Sequence, residues 1–296
     1  MTAPELTCRI LTALLRRQAA GTDQLLALLR EENPTNQGLL DGRLRALHEQ
    51  QLVARIDGVW LLTDDGLAVA RSNPVAGLAI ETPLTAPAAA GNGGRADAVT
   101  SLALSFLQAH RAAFGDAPFE WEPRPRLRSR DSAGGCREVR PTAAMKTLIH
   151  RRHVLEPVHA LVDLWADQHE PEAAVARLRL YAELTASEGD HPAKGPWRRW
   201  FGRAPLLLIA LPSDSAIGAV GHAFREAARA DLRVQGLFDN MSIGVVSVDA
   251  VTQAGADAAV WWSPVDGREQ VWQELRCGKE RAQRASCATS VCHPTR

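Results

Sequence analysis

Residues 52–63 have the sequence LVARIDGVWLLT, in which two short runs rich in apolar and β-branched side chains flank Asp57-Gly58. Asp-Gly favours a two-residue hairpin turn because both positions tolerate positive φ. Upstream of it, apolar residues at helical spacing predict three short helices. Thr63, followed by two aspartates, is typical of the start of a further helix. Three helices followed by a β-hairpin is the order of a winged helix-turn-helix, which we predict for residues 1–72.

The third predicted helix and the hairpin contain the candidate DNA-binding residues of this module. In a winged helix the third helix enters the major groove and the hairpin contacts the flanking backbone. Arg and Gln are side chains that bind base edges with two hydrogen bonds. The module nevertheless has eight arginines against nine acidic residues, a net charge of −1, so dimerisation or protein contact is the alternative. The candidate DNA-binding residues are Gln37, Arg43, Arg45, His48 and Arg55.

The composition of the whole chain excludes some classes of protein. The 296 residues are 46% hydrophobic, which is enough for one large core or two modest ones. Lys+Arg and Asp+Glu both number 34, so the chain does not bind nucleic acid by bulk charge as a histone does. No apolar run reaches the roughly 20 residues of a membrane-spanning helix, and the N-terminus lacks the pattern of a signal peptide. We expect a cytoplasmic protein with no membrane contact.

The spacing of the five cysteines indicates the kind of compartment and whether they could bind zinc. An odd number of irregularly spaced cysteines fits a reducing compartment, and three of them near the C-terminus lack the paired spacing of a zinc site.

Residues 73–97 are rich in Pro, Ala and Gly and predict a linker. Residues 276–296 predict a flexible tail. Between them, residues 98–275 alternate helical and strand patterns, so we predict an α/β or α+β domain with a central mixed sheet.

A basic stretch lies early in this second domain. Between residues 124 and 152, nine basic residues stand against two acidic ones, which gives a net charge of +7. FEWEPRPRLRSR, residues 119–130, is expected to form one exposed strand whose alternating arginines share a face. Such a row could contact successive phosphates, or it could be the charged protection of an edge strand. The candidate phosphate-contacting residues are Arg124, Arg126, Arg128, Arg130, Arg151 and Arg152.

Four successive segments then resemble one known family. PTAAMKTLI (141–149) is followed by HALVDLWADQHEP (159–171), by a helix that contains ARLRLYAEL (176–184), and by WRRWFGRAPLLLIALPS (197–213). This succession resembles the replication-relaxation family of actinobacterial plasmids and integrated elements. The resemblance implies a winged helix followed by a domain with the PD-(D/E)xK restriction-nuclease fold. The family motifs Pro-Asp-Ala, acidic-x-acidic and Lys-Leu-x-x-Tyr fall on Pro141-Thr142-Ala143, Asp163-Leu164-Trp165, and Arg177-Leu178 with Tyr181.

The sequence departs from the family pattern where a metal ion would bind. A nuclease of this fold needs two carboxylates on adjacent strands to hold Mg²⁺, and usually a Lys two residues after the second one. Thr142 replaces the first carboxylate, and Trp165 stands where the Lys or a further acid would be. Asp163 remains as the one plausible ligand unless Asp167 or Glu170 bends in from the following turn. We therefore predict no catalytic residue, no metal site and no cofactor.

These features predict a DNA-binding protein of a bacterial plasmid or integrated element that acts in replication or relaxation, or in their regulation. Its nuclease-like domain is expected to be inactive. The expected partners are double-stranded DNA and a replication or transfer protein. A homodimer is a further alternative. One alternative is a metal-dependent DNA nuclease that uses Asp163 and Mg²⁺. The other is an interaction module that regulates a replication or transfer enzyme without touching DNA.

Overall fold

A computed structural model divides the chain into two units, Met1–Ser105 and Phe106–Arg296. It describes residues 3–17, 19–30, 36–56, 58–72, 93–115, 117–130, 136–151, 154–165, 170–185, 201, 204–280 and 282. The fold class predicted from the sequence, α+β with a central mixed sheet, is confirmed. No helix within these ranges is long and apolar enough to cross a membrane.

The first unit has the predicted order of helices followed by a hairpin. Its three strands form an antiparallel sheet in the order β1-β3-β2. Gly58, at φ +86°, stands in the turn between β2 and β3, as the Asp-Gly pair predicts. The elements are α1 (Ala3–Arg17), β1 (Ala20–Gly21), α2 (Thr22–Arg30), α3 (Gln37–Glu49), β2 (Val53–Ile56), β3 (Val59–Leu62) and α4 (Asp64–Ser72).

Leucine stripes on the first three helices form the core of this unit. Leu14, Leu25 and Leu44 are fully buried in one cluster with side chains of β2 and β3. Helix α4 packs closely on the chain before β2, because a Cβ at Gly66 would lie 1.8 Å from the Leu52 carbonyl oxygen. That distance is far inside van der Waals contact, so only glycine fits there.

Helix α5 (Gly93–Phe114) contains the boundary between the two units. Its first five residues belong to the predicted linker 73–97, and the remainder of that linker lies outside the described residues. Within the first unit, Gln24 Nε2 donates to Ser101 Oγ at 2.9 Å, and the buried Thr100 hydroxyl donates to the Ala19 carbonyl oxygen. These bonds hold the N-terminal half of α5 to the first unit.

The second unit is built on a seven-stranded sheet in the order β12-β11-β10-β9-β8-β7-β4. Strands β8, β9 and β10 are parallel, and the remaining neighbours are antiparallel. Five strands, β4 to β8, lie between α5 and the next helix where three were predicted, and two helices precede β10 where one was predicted; the order of helices and strands otherwise follows the prediction. The elements are β4 (Glu120–Pro123), β5 (Leu127–Arg130), β6 (Cys136–Val139), β7 (Ala143–Arg151), β8 (Val154–Leu164), α6 (Pro171–Thr185), β9 (Leu206–Leu211), α7 (Ser215–Ala230), α8 (Leu232–Asn240), β10 (Ile243–Ser247), α9 (Val248–Ala254), β11 (Trp261–Ser263), β12 (Arg268–Gln270) and a 3-10 turn (Trp272–Glu274).

Both faces of the sheet are covered. Helices α6, α7 and α8 pack on one face, where Leu178, Phe224 and Leu237 join the core. On the other face Phe106 of α5 packs against aromatic rings, with centroid distances of 5.8 Å to both Trp261 and Trp272. A sheet that is buried on both sides needs continuous apolar strands, and all six residues of β9 are buried accordingly.

The prediction of one exposed strand over residues 119–130 is wrong. Arg124 stands between two prolines at a positive φ of 51°, which ends β4, and Pro125 has no N–H with which to continue the ladder. Strand β5 therefore leaves the main sheet and pairs with β6 in a separate ribbon. Leu127 and Val139 of this ribbon join the core beside α6.

The beginning of the predicted tail packs on the second unit. Cys277 is buried, and Lys279 Nζ donates to Asn240 Oδ1 at 2.7 Å. Of the residues beyond Glu280, only Ala282 is described. The cysteines at 287 and 292 lie outside the described residues.

Candidate functional site

The candidate site is centred on Asp163, whose side chain is only 1% exposed near the end of β8. Its Oδ1 accepts hydrogen bonds from the backbone N–H of Thr142 at 3.1 Å and from its hydroxyl at 3.3 Å. Its Oδ2 accepts from Trp165 Nε1 at 2.7 Å, Tyr181 OH at 2.8 Å, and Arg177 Nη2 and Nε at 3.0 and 3.1 Å. Six donors thus converge on one carboxylate. We call Thr142, Asp163, Trp165, Arg177 and Tyr181 the Asp163 cluster.

Strand register and helix periodicity bring these five residues together. Ala143 pairs with Val162, so Thr142 lies opposite Asp163 at the start of β7. The Thr142 hydroxyl also accepts from the Leu164 N–H at 2.9 Å, which fixes the two strand ends to each other. Arg177 and Tyr181 are one helical turn apart and therefore share a face of α6. The cluster ties α6 to the ends of β7 and β8.

Burial and neighbouring charges determine the protonation states of Tyr181 and Arg177, the two ionisable side chains that donate to Asp163. Burial, and then the negative charge of Asp163, raise the pKa of the Tyr181 phenol well above its ordinary value. Burial, the largest single cause, lowers the pKa of the Arg177 guanidinium, but the charges of Asp163 and Tyr181 and its hydrogen bonds to them together outweigh burial and leave the pKa raised. Tyr181 therefore stays a protonated donor and Arg177 stays charged, as a buried carboxylate requires.

The residues of this cluster do not fit a magnesium ion. Mg²⁺ needs octahedral oxygen ligands and usually binds one or two carboxylates together with waters. Here the carboxylate oxygens face N–H and O–H donors, and a cation would have to displace a guanidinium. Within the described ranges, no group of three or more His, Cys, Asp or Glu residues is placed to hold a metal ion. Asp167 lies outside those ranges, and Glu170 is exposed at the start of α6.

The predicted DNA-binding residues of helix α3 do not all lie on one face. Leu40, Leu44 and Leu47 face the core, while Gln37, Arg45 and His48 are exposed. Arg43 is half-buried, and its Nε donates to the Thr7 hydroxyl of α1. Because two residues advance about 200° around a helix, Arg43 and Arg45 lie on opposite sides of α3.

His48 and Arg55 meet instead at Trp60 of the hairpin. The imidazole lies edge-on to the indole with ring centroids 6.0 Å apart, and His48 Nδ1 is 3.0 Å from the Val53 carbonyl oxygen. The Arg55 guanidinium lies over the same indole, 5.5 Å from its centroid. Trp60 itself is buried and donates to the Thr22 hydroxyl at 3.0 Å. The end of α3 and the hairpin are thus joined at one surface.

The basic stretch is divided between several elements. Arg124 and Arg126 are exposed at the break between β4 and β5. Lys146 Nζ forms an ion pair with Glu120 at 2.8 Å, and Arg140 pairs with Glu138, so part of the +7 charge is neutralised locally. Strand register places Arg128 opposite Glu138, Arg130 opposite Cys136 and Arg151 opposite Val154. The side chains of Arg128, Arg130 and Arg151, and the whole of Arg152, lie outside the described part of the chain.

Sequence reasoning missed the roles of Arg177 and Tyr181. Both were located by the family motif, but their contact with Asp163 was not foreseen. The available signal was the i, i+4 spacing of an Arg and the chain's single tyrosine on a helix whose inward face also contains Leu178 and Ala182. Such a polar pair on an inward face indicates a buried polar partner.

Comparison with known proteins identifies no relative in sequence. No protein family model matches the chain, and no curated protein matches it. Among solved structures, that of restriction endonuclease FokI is similar over 83% of this chain, with 11% sequence identity and a TM-score of 0.31. This chain spans 42% of the length of that one. A similarity of this size identifies neither a family nor a function, so the resemblance to the replication-relaxation family stays a prediction.

Proposed function

We propose that this chain is a DNA-binding protein of a bacterial plasmid or integrated element, acting in replication or relaxation or in their regulation, and that its nuclease-like domain does not cleave DNA. The absence of cleavage depends on the set of six hydrogen bonds to Asp163, and DNA binding depends on the exposed side chains of α3 and on the basic stretch. The carboxylate that a nuclease of this kind would offer to a metal ion is instead part of the framework of the domain.

Displacing the donors of Asp163 would be costly. Breaking a buried ion pair by removing one partner costs about 3–5 kcal/mol, because it leaves an uncompensated charge in a low dielectric. A divalent ion at Asp163 would also stand beside the charged Arg177 guanidinium, which is 3.0 Å from the carboxylate. The cluster therefore stabilises the domain and does not supply a metal ligand.

Sequence recognition is assigned to helix α3 of the winged helix-turn-helix. Gln37, Arg45 and His48 are exposed side chains of α3 that can bind base edges or phosphates, and Arg55 contacts the flanking backbone from the hairpin. Arg43 positions α3 on α1 through Thr7. Gly42 lies on the exposed face beside Arg45, and a Cβ there would meet nothing within 4 Å. A glycine inside a helix lowers the stability of the helix by about 1 kcal/mol relative to alanine. Packing does not require a glycine at this position, but close approach of the helix backbone to a DNA groove would favour it.

Backbone contact is assigned to the basic stretch of the second unit. We assign phosphate contacts to Arg124, Arg126, Arg128, Arg130, Arg151 and Arg152, and double-stranded DNA is the expected partner. Neutralising about six phosphates would give a slope of roughly −5 in the logarithm of the binding constant against the logarithm of salt concentration.

The test is electrophoretic mobility of labelled duplex across a salt series, with wild type, Arg45→Ala and a matched control. Arg229→Ala removes an arginine that is also exposed but lies on α7. Arg45→Ala is expected to weaken binding by about 1–3 kcal/mol and Arg229→Ala to leave it unchanged. If Arg45→Ala and wild type bound the duplex equally well, α3 would not be part of the proposed DNA interface.

The competing function is regulation of a replication or transfer protein without DNA contact. The net charge of −1 in residues 1–72 favours it, since acidic surfaces repel phosphate. Absence of any mobility shift at low salt would contradict DNA binding and leave this function.

A further inference from the structure

The hairpin of β7 and β8 extends beyond the strands on either side of it. Strand β4 pairs only with Ala143–Lys146, and β9 pairs only with Ala160–Leu164. The two strands continue to pair with each other as far as Arg151 and Val154. We call residues 147–151 and 154–159 the β-arm. At about 3.4 Å per residue its five pairs beyond β4 span about 17 Å.

The base of the β-arm is braced by side chains of the same unit. His110 Nδ1 is 2.7 Å from the Thr147 hydroxyl, and its Nε2 is 2.9 Å from the Ala117 carbonyl oxygen. The ring of Phe114 contacts His150 at a centroid distance of 5.2 Å. A two-stranded hairpin without such support is only marginally stable in water. These contacts hold the β-arm in place.

The described end of the β-arm has exposed apolar side chains, and the sequence that directly precedes them is basic. Val154 is 59% exposed and Leu155 51% exposed. They follow Arg151-Arg152-His153 directly in the sequence, and Glu156 is the only acidic residue between 147 and 159. Two neighbouring exposed apolar side chains beside a basic run form a candidate contact for a negatively charged partner.

We infer that the β-arm enters the minor groove of duplex DNA, where Val154 and Leu155 wedge against a base step and bend the duplex. Proteins that bind the minor groove use basic residues together with inserted apolar side chains, and they recover the cost of partial unstacking through the wider contact that a bent duplex allows. A second copy of the chain is a poorer partner for this surface, because two copies of the same basic sequence would repel each other. The inference rests on the proposed function, DNA binding, and adds a site and a mode of contact to it.

The test uses a duplex of about 30 base pairs containing TA steps, which kink readily, with a donor and an acceptor dye at its two ends. Energy transfer reports bending, and anisotropy of the same duplex reports binding. The variant Val154→Ser with Leu155→Ser removes the wedge, and Leu232→Ser is the matched control because Leu232 is 90% exposed on α8 of the same unit. All three proteins are first shown to unfold at the same denaturant concentration.

Wild type and Leu232→Ser are expected to raise energy transfer on binding. The double variant is expected to bind about tenfold more weakly and to leave energy transfer at the value of the free duplex. The inference would be overturned if the double variant bent the duplex as much as wild type does. It would also be overturned if wild type bound the duplex without bending it, although the proposed DNA binding would then stand. No anisotropy change with wild type would instead contradict the proposed function. A loss of dimer in the double variant without DNA would assign the tip to self-association and also overturn the inference.

Discussion

The Asp163 cluster and the exposed face of helix α3 each contain an arginine, Arg177 at a position of the family motif and Arg45 among the candidate DNA-binding residues, yet the two side chains have different surroundings. Arg177 is held against a carboxylate that is 1% exposed, whereas Arg45 is exposed on a helix whose opposite face is buried. Burying a charge is tolerated only when it is paired and hydrogen-bonded, so Arg177 is committed to the fold. Arg45 is available to a partner. Burial, and not residue type, distinguishes the framework arginine from the arginine that we propose contacts DNA.

Arg177 and Arg45 are expected to differ most in how much each contributes to the free energy of unfolding. Arg177→Ala removes two of the six hydrogen bonds to Asp163 and the only positive charge in the cluster. We expect the free energy of unfolding of the second unit to fall by about 3 kcal/mol, measured by denaturant titration with tryptophan fluorescence as the signal.

Two control variants distinguish loss of the buried Arg177 from loss of an exposed arginine. Arg179→Ala, two residues away on α6, removes an arginine that is half exposed and forms a surface ion pair with Asp231 at 3.4 Å. Such pairs contribute about 1 kcal/mol or less. Arg45→Ala is expected to change stability by less than about 0.5 kcal/mol. Similar losses for Arg177→Ala and Arg179→Ala would show that the cluster is not the framework that we describe.

A smaller effect concerns Tyr181, the one tyrosine in the sequence. Burial and the charge of Asp163 raise its pKa in the folded chain, so its contribution to stability is complete below the unfolded value of about 10 and is lost as the pH rises through the folded value. Tyr181→Phe removes one hydrogen bond to a charged group and is expected to cost about 2 kcal/mol. Ultraviolet absorbance of the phenolate measures the titration with no other tyrosine to interfere.

Chemically unfolded protein is the control for that titration and should form phenolate near pH 10. The folded protein should form it only at higher pH, in step with unfolding. Phenolate appearing in folded protein at the same pH as in unfolded protein would show that Tyr181 is not buried against Asp163.

Much of the fold could be predicted because its signals are local. The leucine stripe of α3, the Asp-Gly turn before Val59 and the apolar run of β9 each specify their element without help from the rest of the chain. The break at Arg124 could not be predicted from alternating arginines alone. Two prolines flank it, and Leu127 gains more by packing against α6 than by staying in an exposed strand.

The candidate site was only partly predictable, because its geometry depends on register between distant segments. Thr142, Asp163 and Tyr181 could be marked by motif, but their contact requires Ala143 to pair with Val162 and α6 to cross both strand ends. In the resemblance to the family motif, Thr142 falls at the position of a carboxylate, and this predicted no metal ligand there. That Thr142 itself donates to Asp163 could be known only from the structure.

Cleavage of DNA by the intact chain is the most direct test of the central claim, that Asp163 belongs to the framework and not to a metal site. Supercoiled plasmid is incubated with saturating wild type in Mg²⁺ and, separately, in Mn²⁺, and is then analysed on agarose both with the protein bound and after the protein is removed. We predict that the plasmid is retarded while protein is bound and is recovered fully supercoiled. Nicked or linear plasmid formed by wild type, but not by a folded Asp163→Asn variant, would contradict the account.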